Sequence, residues 1–324
     1  MKRKYSLLSK KKSFSRNKKI IIFSVIVCLI ALAIILPIVL KKKNNCLPQD
    51  GIRCQRNKGK QETFIPKDIE NNNIGVYLVN GQSNSVNYGK YSDTRTFNNQ
   101  YNVHVFYKGK TYNMNNPLAG SEGKLDCVWK LLGEKMIEDR KHDHVVFALT
   151  GCGSACIKDL LKYKEYFEDA YTELVEKYGK IDGILYHQGE SDSGSHKIKN
   201  TNDENEIRSS EYYKDFNTLM KPMVDDNYSK DKIYVSRVTM GCKYVLKDVN
   251  KENTELILDP MLGAIQDVLR DEYNKGPDTD TLGLIYRFDN CHFNDEGLNK
   301  HAKLWFKVLY PNTTDKRLNV LFHD

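Results

Sequence analysis

Residues 74–85 read IGVYLVNGQSNS, and this stretch decides the fold. Residues 74–80 form a mostly apolar run of the length typical of a strand that is buried on both faces. The next five residues, GQSNS, place a glycine, small polar side chains and Ser83 directly at the end of that strand. A serine on such a turn stands at the carboxyl edge of the sheet with backbone N–H groups beside it, an arrangement suited to nucleophilic catalysis.

Further apolar runs alternate with segments of helical spacing. We predict strands at residues 74–80, 144–150, 181–186, 232–239 and 282–287, and a further short strand at 101–107. Helices are predicted at 128–140, 157–178, 212–225 with an interruption at Pro222, 256–273 and 296–309. Residues 193–211 are polar and are predicted to be a long surface loop. This alternation predicts an α/β fold, a three-layer α/β/α sandwich with about five parallel strands.

Polar residues follow several of these strands, and the carboxyl ends of parallel strands meet at one edge of a sheet. Ser83 is the candidate nucleophile, although a serine after a strand is also a common turn or N-cap residue. The sequence DNCH at 289–292 can supply a base, His292, oriented by Asp289. We expect Asp295 to be a helix cap.

The sequence HQGESD at 187–192 follows the third long strand. The Gln188 amide and the backbone N–H groups of Ser83 and Gly153 are candidate donors to an oxyanion, with Gly151 as a second choice to Gly153. Glu190 is expected to hold neighbouring loops by hydrogen bonds, and His187 to be structural.

Charge is distributed unevenly along the 324 residues. The net charge is +8, yet residues 1–43 carry 12 Lys and Arg without any Asp or Glu, so the remainder is mildly acidic. This excludes a nucleic-acid partner in our interpretation. Residues 20–40 contain no charge and are long enough to span a bilayer. A cleaved signal peptide is the alternative.

We therefore expect a basic cytoplasmic tail at 1–19, a transmembrane signal-anchor at 20–40, a stem at 41–73, a catalytic domain at 74–312 and a C-terminal tail at 313–324. The charge bias predicts a single-pass type II membrane protein whose domain is lumenal or extracellular.

Seven of the eight cysteines follow the apolar segment, which suits an oxidising compartment. An odd number leaves at least one thiol unpaired within the chain. Cys46 with Cys54, and Cys152 or Cys156 with Cys242, are the expected pairs. A zinc site at Cys152 and Cys156 is disfavoured because no histidine cluster accompanies them. Asn227 and Asn312 begin glycosylation sequons.

Three motifs carry a resemblance: GQSN at 81–84, HQGESD at 187–192 and DNCHFNDEGLNKHA at 289–302. They resemble the sialate O-acetylesterase-like branch of the SGNH hydrolases, which includes the acetylxylan esterases of carbohydrate esterase family 6. The resemblance covers about residues 74–310. It implies a flavodoxin-like SGNH fold, an O-acetylated carbohydrate substrate, and no metal or organic cofactor. It implies a triad of Ser83, Asp289 and His292, and an oxyanion hole formed by Ser83, Gly153 and Gln188. Gln82, Asn84 and Glu190 are expected to support the site.

Two features depart from the family pattern. The chain reads Gly153-Ser154-Ala155 where the family often has Gly-Gly followed by Ser or Thr, and its segment 193–211 is longer than usual. We expect a membrane-anchored carbohydrate O-acetylesterase. The alternatives are a glycan-binding module of the same fold that lacks turnover, and an esterase for acyl esters that are not carbohydrates.

Overall fold

The protein is described from a computed structural model that covers residues 54–59, 73–92, 95, 102–242 and 256–313. Its seven strands are β1 (Ile74–Gly81), β2 (Val103–Tyr107), β3 (Lys110–Asn113), β4 (His144–Leu149), β5 (Gly183–His187), β6 (Ile233–Arg237) and β7 (Asn274–Asp278). They form one sheet in the order β3-β2-β4-β1-β5-β6-β7. All neighbours pair in parallel except β2 and β3, which are antiparallel.

The α-helices in this part of the chain are α1 (Val128–Glu138), α2 (Ile157–Lys162), α3 (Lys164–Tyr178), α4 (Glu204–Ser209), α5 (Glu211–Asp225), α6 (Pro260–Glu272) and α7 (Asp295–Leu309). Short 3₁₀ turns lie at Ser83–Ser85 and Leu284–Tyr286, next to the predicted site.

The central strand β1 is buried along its whole length because both faces of the sheet are covered. Val76 and Leu78 point into a core shared with α3, α5 and α6, whereas Tyr77 and Val79 point into a core shared with α1 and α7. Such alternation is the period-two pattern of a strand. The sequence prediction of an α/β sandwich is therefore confirmed.

A pair of tryptophans anchors the face covered by α1 and α7. Trp129 and Trp305 are both fully buried, with ring centroids 5.6 Å apart. Truncating a buried aromatic side chain of this size costs about 3–5 kcal/mol. This face also contacts the turn that carries Ser83, because the Trp129 Nε1–H donates to the carbonyl oxygen of Ser85 at 2.8 Å.

The strand predictions need two corrections. The sheet has seven strands rather than about five, since β3 adds an antiparallel edge and β7 adds the other edge. Residues 282–287 are not a strand. Leu284 is buried from the 3₁₀ turn Leu284–Tyr286 and Leu282 from the segment just before it, so the apolar run reflects burial and not strand pairing. The edge position goes to β7, whose sequence NKGPD lacks an apolar pattern and whose Gly276 lies close to the backbone of β6. An edge strand tolerates its proline.

Three helix predictions also need correction. The helix predicted over 157–178 breaks at Tyr163 into α2 and α3. The segment 193–211, predicted to be a loop, contains α4, which Asp203 caps and which buries Ile207. The helix around Pro222 is not interrupted there, because α5 continues through it to Asp225.

Two disulfides differ from the predicted pairs. Cys54 is bonded to Cys152, and Cys242 to Cys291. Both pairs join residues far apart in sequence, which spacing alone does not reveal. Cys156 is also disulfide-bonded. Cys127 is the free, buried thiol among the described cysteines, in agreement with the odd count.

Residues 54–59 belong to the folded domain, although the sequence placed them in a stem. Besides the disulfide of Cys54, Asn57 exchanges backbone hydrogen bonds with Ser121 and Gly120 at 3.0 and 2.9 Å. The predicted tail at 1–19, the predicted span at 20–40 and residues 314–324 lie outside the described residues. In the part of the chain that is described, no helix combines the length and apolar character needed to cross a bilayer.

Candidate active site

The turn that carries Ser83 is fixed from several sides. β1 ends at Gly81, whose φ of 143° and close approach to the carbonyl oxygen of His187 leave no room for a side chain. The chain then enters the 3₁₀ turn, where Ser85 N–H donates to Gln82 O at 2.8 Å. Because α1 also holds the Ser85 carbonyl through Trp129, the serine backbone sits on a rigid support. Ser83 is only 3% exposed.

Asp289 and His292 form a compact pair on the loop before α7. The ring Nδ1 of His292 donates to Asp289 Oδ2 at 2.6 Å, and the backbone N–H of His292 donates to Oδ1 at 2.6 Å. Asn290 adopts a left-handed φ of 68°, which suits asparagine and closes the turn. Burial works to raise the pKa of Asp289, but the hydrogen bonds from His292 outweigh it and lower that pKa. Asp289 therefore stays ionised and fixes the imidazole, with its Nε2 left for another partner.

Two aromatic rings stack on the imidazole of His292. The ring of Tyr88 stacks on His292 with centroids 5.4 Å apart, and Phe288 stacks at 6.1 Å. The Nε2 atom lies 4.0 Å from the sulfur of Cys291. That sulfur is tied to Cys242, so it offers no thiol for catalysis.

Asn84 connects the serine turn to the histidine loop. Its amide donates to Glu190 Oε1 at 2.7 Å and to the carbonyl oxygen of Cys291 at 3.3 Å. The same Glu190 oxygen lies 3.3 Å from His187 Nε2. Burial works to raise the pKa of Glu190, but hydrogen bonds from His187 and Asn84 lower it, so the carboxylate is ionised. His187 is fully buried in this network, as expected for a structural histidine.

Ser83 and His292 therefore lie on loops that a single side chain joins. Among the contacts of the described residues, no direct hydrogen bond links the Ser83 hydroxyl to the His292 ring. In structures without substrate, catalytic hydrogen bonds are often long and shorten on binding. The structure thus pairs Asp289 with His292 and Asn84 with Glu190, and the contact of Asn84 with the Cys291 carbonyl oxygen joins the two pairs. Ser83 lies at the same edge of the sheet.

Arg287 contacts the loop that carries Asp289 and His292. It is buried, its guanidinium lies 4.2 Å from the Phe293 ring centroid, and it donates to the carbonyl oxygen of Cys291. Burial lowers the pKa of Arg287 to about 10. No sequence pattern indicated this role, since a lone arginine after an apolar run is usually a surface residue.

Gln188 is fully buried in a polar network behind the serine turn. Its amide nitrogen donates to Asp192 and to the carbonyl oxygen of Ala155, the latter at 3.2 Å. Its oxygen accepts from Tyr212 at 2.8 Å. The predicted role of Gln188 as an oxyanion donor therefore requires an exchange of partners, and it stays a prediction.

Gln82 binds the loop that carries Gln188. Its side-chain oxygen accepts from the backbone N–H of Ser191 at 3.0 Å and lies 3.3 Å from the Gln188 amide nitrogen. This contact ties the serine turn to the segment after β5. The supporting role of Gln82 stays a prediction.

The backbone N–H of Gly153, the other predicted oxyanion donor, already binds a carboxylate. It donates to Glu122 Oε2 at 2.6 Å. A Cβ at this position would lie 2.5 Å from the Tyr88 hydroxyl oxygen, so only glycine fits without displacing that ring. Sequence reasoning missed Glu122 and Tyr88, because neither belongs to a recognisable motif.

Comparisons with known proteins bear on the family and the fold of the chain. The family described as "Carbohydrate esterase, sialic acid-specific acetylesterase" has a model that matches residues 73–307. A protein of Arabidopsis thaliana solved by X-ray crystallography is similar in fold, with a TM-score of 0.51 and 15% identity over 74% of this chain and 99% of that chain.

A lipase/acylhydrolase from Enterococcus faecalis matches at 12% identity and a TM-score of 0.39, over 72% of this chain and 94% of its own. The search among curated proteins found no match. Since the family model covers well over half of the sequence, the chain belongs to the carbohydrate esterase family of sialic acid-specific acetylesterases and is a carboxylic-ester hydrolase.

Proposed function

We propose that the protein removes acetyl groups from O-acetylated carbohydrates, with Ser83 as nucleophile, His292 as base and Asp289 as the residue that orients it. The observation that carries this proposal is the Asp289–His292 pair at 2.6 Å, joined through Asn84 to the turn of Ser83. A serine hydroxyl is a weak nucleophile until a base takes its proton, and an ionised Asp289 makes His292 a better base.

In the proposed reaction, Ser83 Oγ attacks the acetyl carbonyl carbon while its proton passes to His292 Nε2. The carbonyl oxygen becomes an oxyanion, which the backbone N–H groups of Ser83 and Gly153 receive. Collapse of this intermediate breaks the bond to the sugar oxygen, which takes the proton from His292. Water then attacks the acetyl-enzyme with His292 again as base, and acetate leaves as Ser83 recovers its proton.

The surroundings of His292 support a carbohydrate substrate. Tyr88 and Phe288 present aromatic rings beside the imidazole, and Phe288 is 38% exposed. Such rings offer apolar faces on which the C–H groups of a sugar can pack. The family description, which names sialic acid, is consistent with a glycan ester.

We also propose that the protein is anchored in a membrane by residues 20–40 and faces the lumen or the cell exterior. The disulfides of the described domain support an oxidising compartment. Asn227 and Asn312 of the two sequons are both exposed. Protease protection of the domain in sealed vesicles is the expected result, and digestion from the cytosolic side without detergent would contradict it.

The function is tested by acetate release from a panel of acetylated sialic acids, acetylated xylan and acetylated chitin-type sugars. Wild-type protein should release acetate from at least one of these, and Ser83→Ala should release none while melting at an unchanged temperature. The neighbouring Ser85→Ala is a matched control for the loss of a buried hydroxyl from the same turn, since the Ser85 hydroxyl donates to the carbonyl oxygen of Gln82 at 2.6 Å. Equal acetate release by Ser83→Ala and wild type would reject the mechanism.

A further inference from the structure

Glu122 occupies the donor that the proposed reaction needs. Its Oε2 accepts the N–H of Gly153 at 2.6 Å, a short hydrogen bond of the kind that an ionised acceptor favours. The carboxylate reaches this position from the turn between Gly120 and Gly123, far from β4 in sequence. It lies within 4.8 Å of the sulfurs of Cys54 and Cys152, the residue just before Gly153.

Three groups face this carboxylate. Besides Gly153 N–H, the hydroxyl of Tyr88 donates to Oε1 at 3.4 Å, from the ring that stacks on His292. Arg56 adds a positive charge from residues 54–59, held by the carbonyl oxygens of Gly151 at 2.6 Å and Thr150 at 3.0 Å. Burial raises the pKa of Glu122, and the hydrogen bonds from Gly153 and Tyr88 together with the positive charge of Arg56 oppose that rise only in part.

An anionic oxygen at this N–H conflicts with the chemistry. During acetyl transfer the substrate's carbonyl oxygen acquires negative charge and needs the same donor. One N–H cannot serve both oxygens fully, and two negative charges at hydrogen-bond distance from it repel each other. The carboxylate must therefore leave Gly153 or become neutral before the oxyanion forms.

We propose that Glu122 is an internal competitor for the oxyanion donor of Gly153 and must be displaced or protonated in every turnover. This rests on the proposed serine mechanism. The ionised carboxylate imitates the oxyanion and keeps the donor oriented in the free enzyme, and the substrate then has to replace it. Because the hydrogen bond between Gly153 N–H and Glu122 must break in each turnover, its free energy adds to the barrier of the reaction.

Glu122→Gln tests this inference, with 4-nitrophenyl acetate as the probe. A neutral amide oxygen can still accept the N–H of Gly153, but such bonds are roughly half as strong as those to a carboxylate. At pH values where Glu122 is ionised, kcat/KM of the variant should exceed that of wild type about tenfold, or about 1.4 kcal/mol. At lower pH, where Glu122 carries a proton, the two rates should converge.

The matched control is Glu173→Gln. Glu173 also accepts the N–H of a glycine, Gly109, at 3.0 Å, but it does so beside the turn between β2 and β3. Its ratio to wild type should be one at every pH. If Glu122→Gln does not fold, Glu122→Asp replaces it, because a carboxylate one methylene shorter cannot reach Gly153 and should also raise kcat/KM.

A Glu122 variant that is equal to or slower than wild type throughout the pH range would overturn the inference, since the carboxylate would then support the site. The proposed mechanism fails separately, if hydrolysis of the probe survives Ser83→Ala. The two failures are therefore distinguishable with one substrate and four purified proteins, which are wild type, Glu122→Gln, Glu173→Gln and Ser83→Ala.

Discussion

Replacing Asp289 by asparagine should disable the base while leaving the loop intact. The asparagine oxygen can still accept the backbone N–H groups of Cys291 and His292, which now donate to Asp289 Oδ1 at 3.0 and 2.6 Å. Its NH₂ group, however, would face Nδ1 of His292, where a carboxylate oxygen now accepts at 2.6 Å. The imidazole then takes the other tautomer, with its proton on Nε2, and cannot accept the proton of Ser83.

The size of the loss follows from the two contacts involved. A hydrogen bond to a charged group contributes about 1.5–3 kcal/mol, and that is lost when the imidazolium forms without its carboxylate. Returning the His292 ring to the tautomer with its proton on Nδ1 breaks the new hydrogen bond from the asparagine NH₂ group, at a cost of about 1 kcal/mol. It also leaves the Nδ1–H of the ring facing an N–H of the asparagine. Together these give about 2.5–4 kcal/mol, or a loss of roughly a hundredfold to a thousandfold in kcat/KM. Asp289 is 40% exposed, which keeps the figure below that of a fully buried carboxylate.

The assay is hydrolysis of 4-nitrophenyl acetate by purified wild type, Asp289→Asn and a control, Asp295→Asn. Asp295 lies in the same motif but pairs with Arg95 in the first turn of α7, so its loss should change kcat/KM less than twofold. Activity of Asp289→Asn within tenfold of wild type, at an unchanged melting temperature, would refute the tautomer argument.

Two further predictions concern stability and loop geometry. Burial raises the pKa of Asp192 to about 7, from an ordinary 3.8, so its contribution to stability is full below about pH 4 and is lost as the pH rises through 7. Asp192→Asn should abolish a decline of up to about 4 kcal/mol in unfolding free energy between these values, measured by urea titration; an unchanged decline would show that other groups cause it. Replacing Cys242 and Cys291 together by serine should lower kcat about tenfold, because His292 loses a fixed neighbour. A drop in melting temperature without a change in kcat would contradict this second prediction.

The elements that could be predicted from the sequence are those that carry a local pattern, such as an apolar run or a short motif. β1, β4 and β5 are buried on both faces, so their apolar runs identify them directly. Asp289 and His292 meet within four residues, so the motif that contains them predicts their contact. Ser83 follows β1 in the structure as the sequence predicted.

The missed features depend on contacts between distant segments. β7 is defined by backbone pairing to β6, which the sequence NKGPD does not encode in a pattern. The bond between Glu122 and Gly153 joins residues 31 positions apart without any motif. The disulfide of Cys54 with Cys152 spans 98 positions and brought supposed stem residues into the domain. In each case tertiary packing, rather than propensity, decides the outcome.

Trapping the acetyl-enzyme intermediate tests directly whether Ser83 becomes acetylated. The protein would be mixed with 4-nitrophenyl acetate, quenched in acid within milliseconds to seconds, and digested for peptide mass spectrometry. We expect an added acetyl group on Ser83 in wild type and none at this position in Ser83→Ala. An acetyl group found only on another residue, with hydrolysis intact in Ser83→Ala, would contradict it.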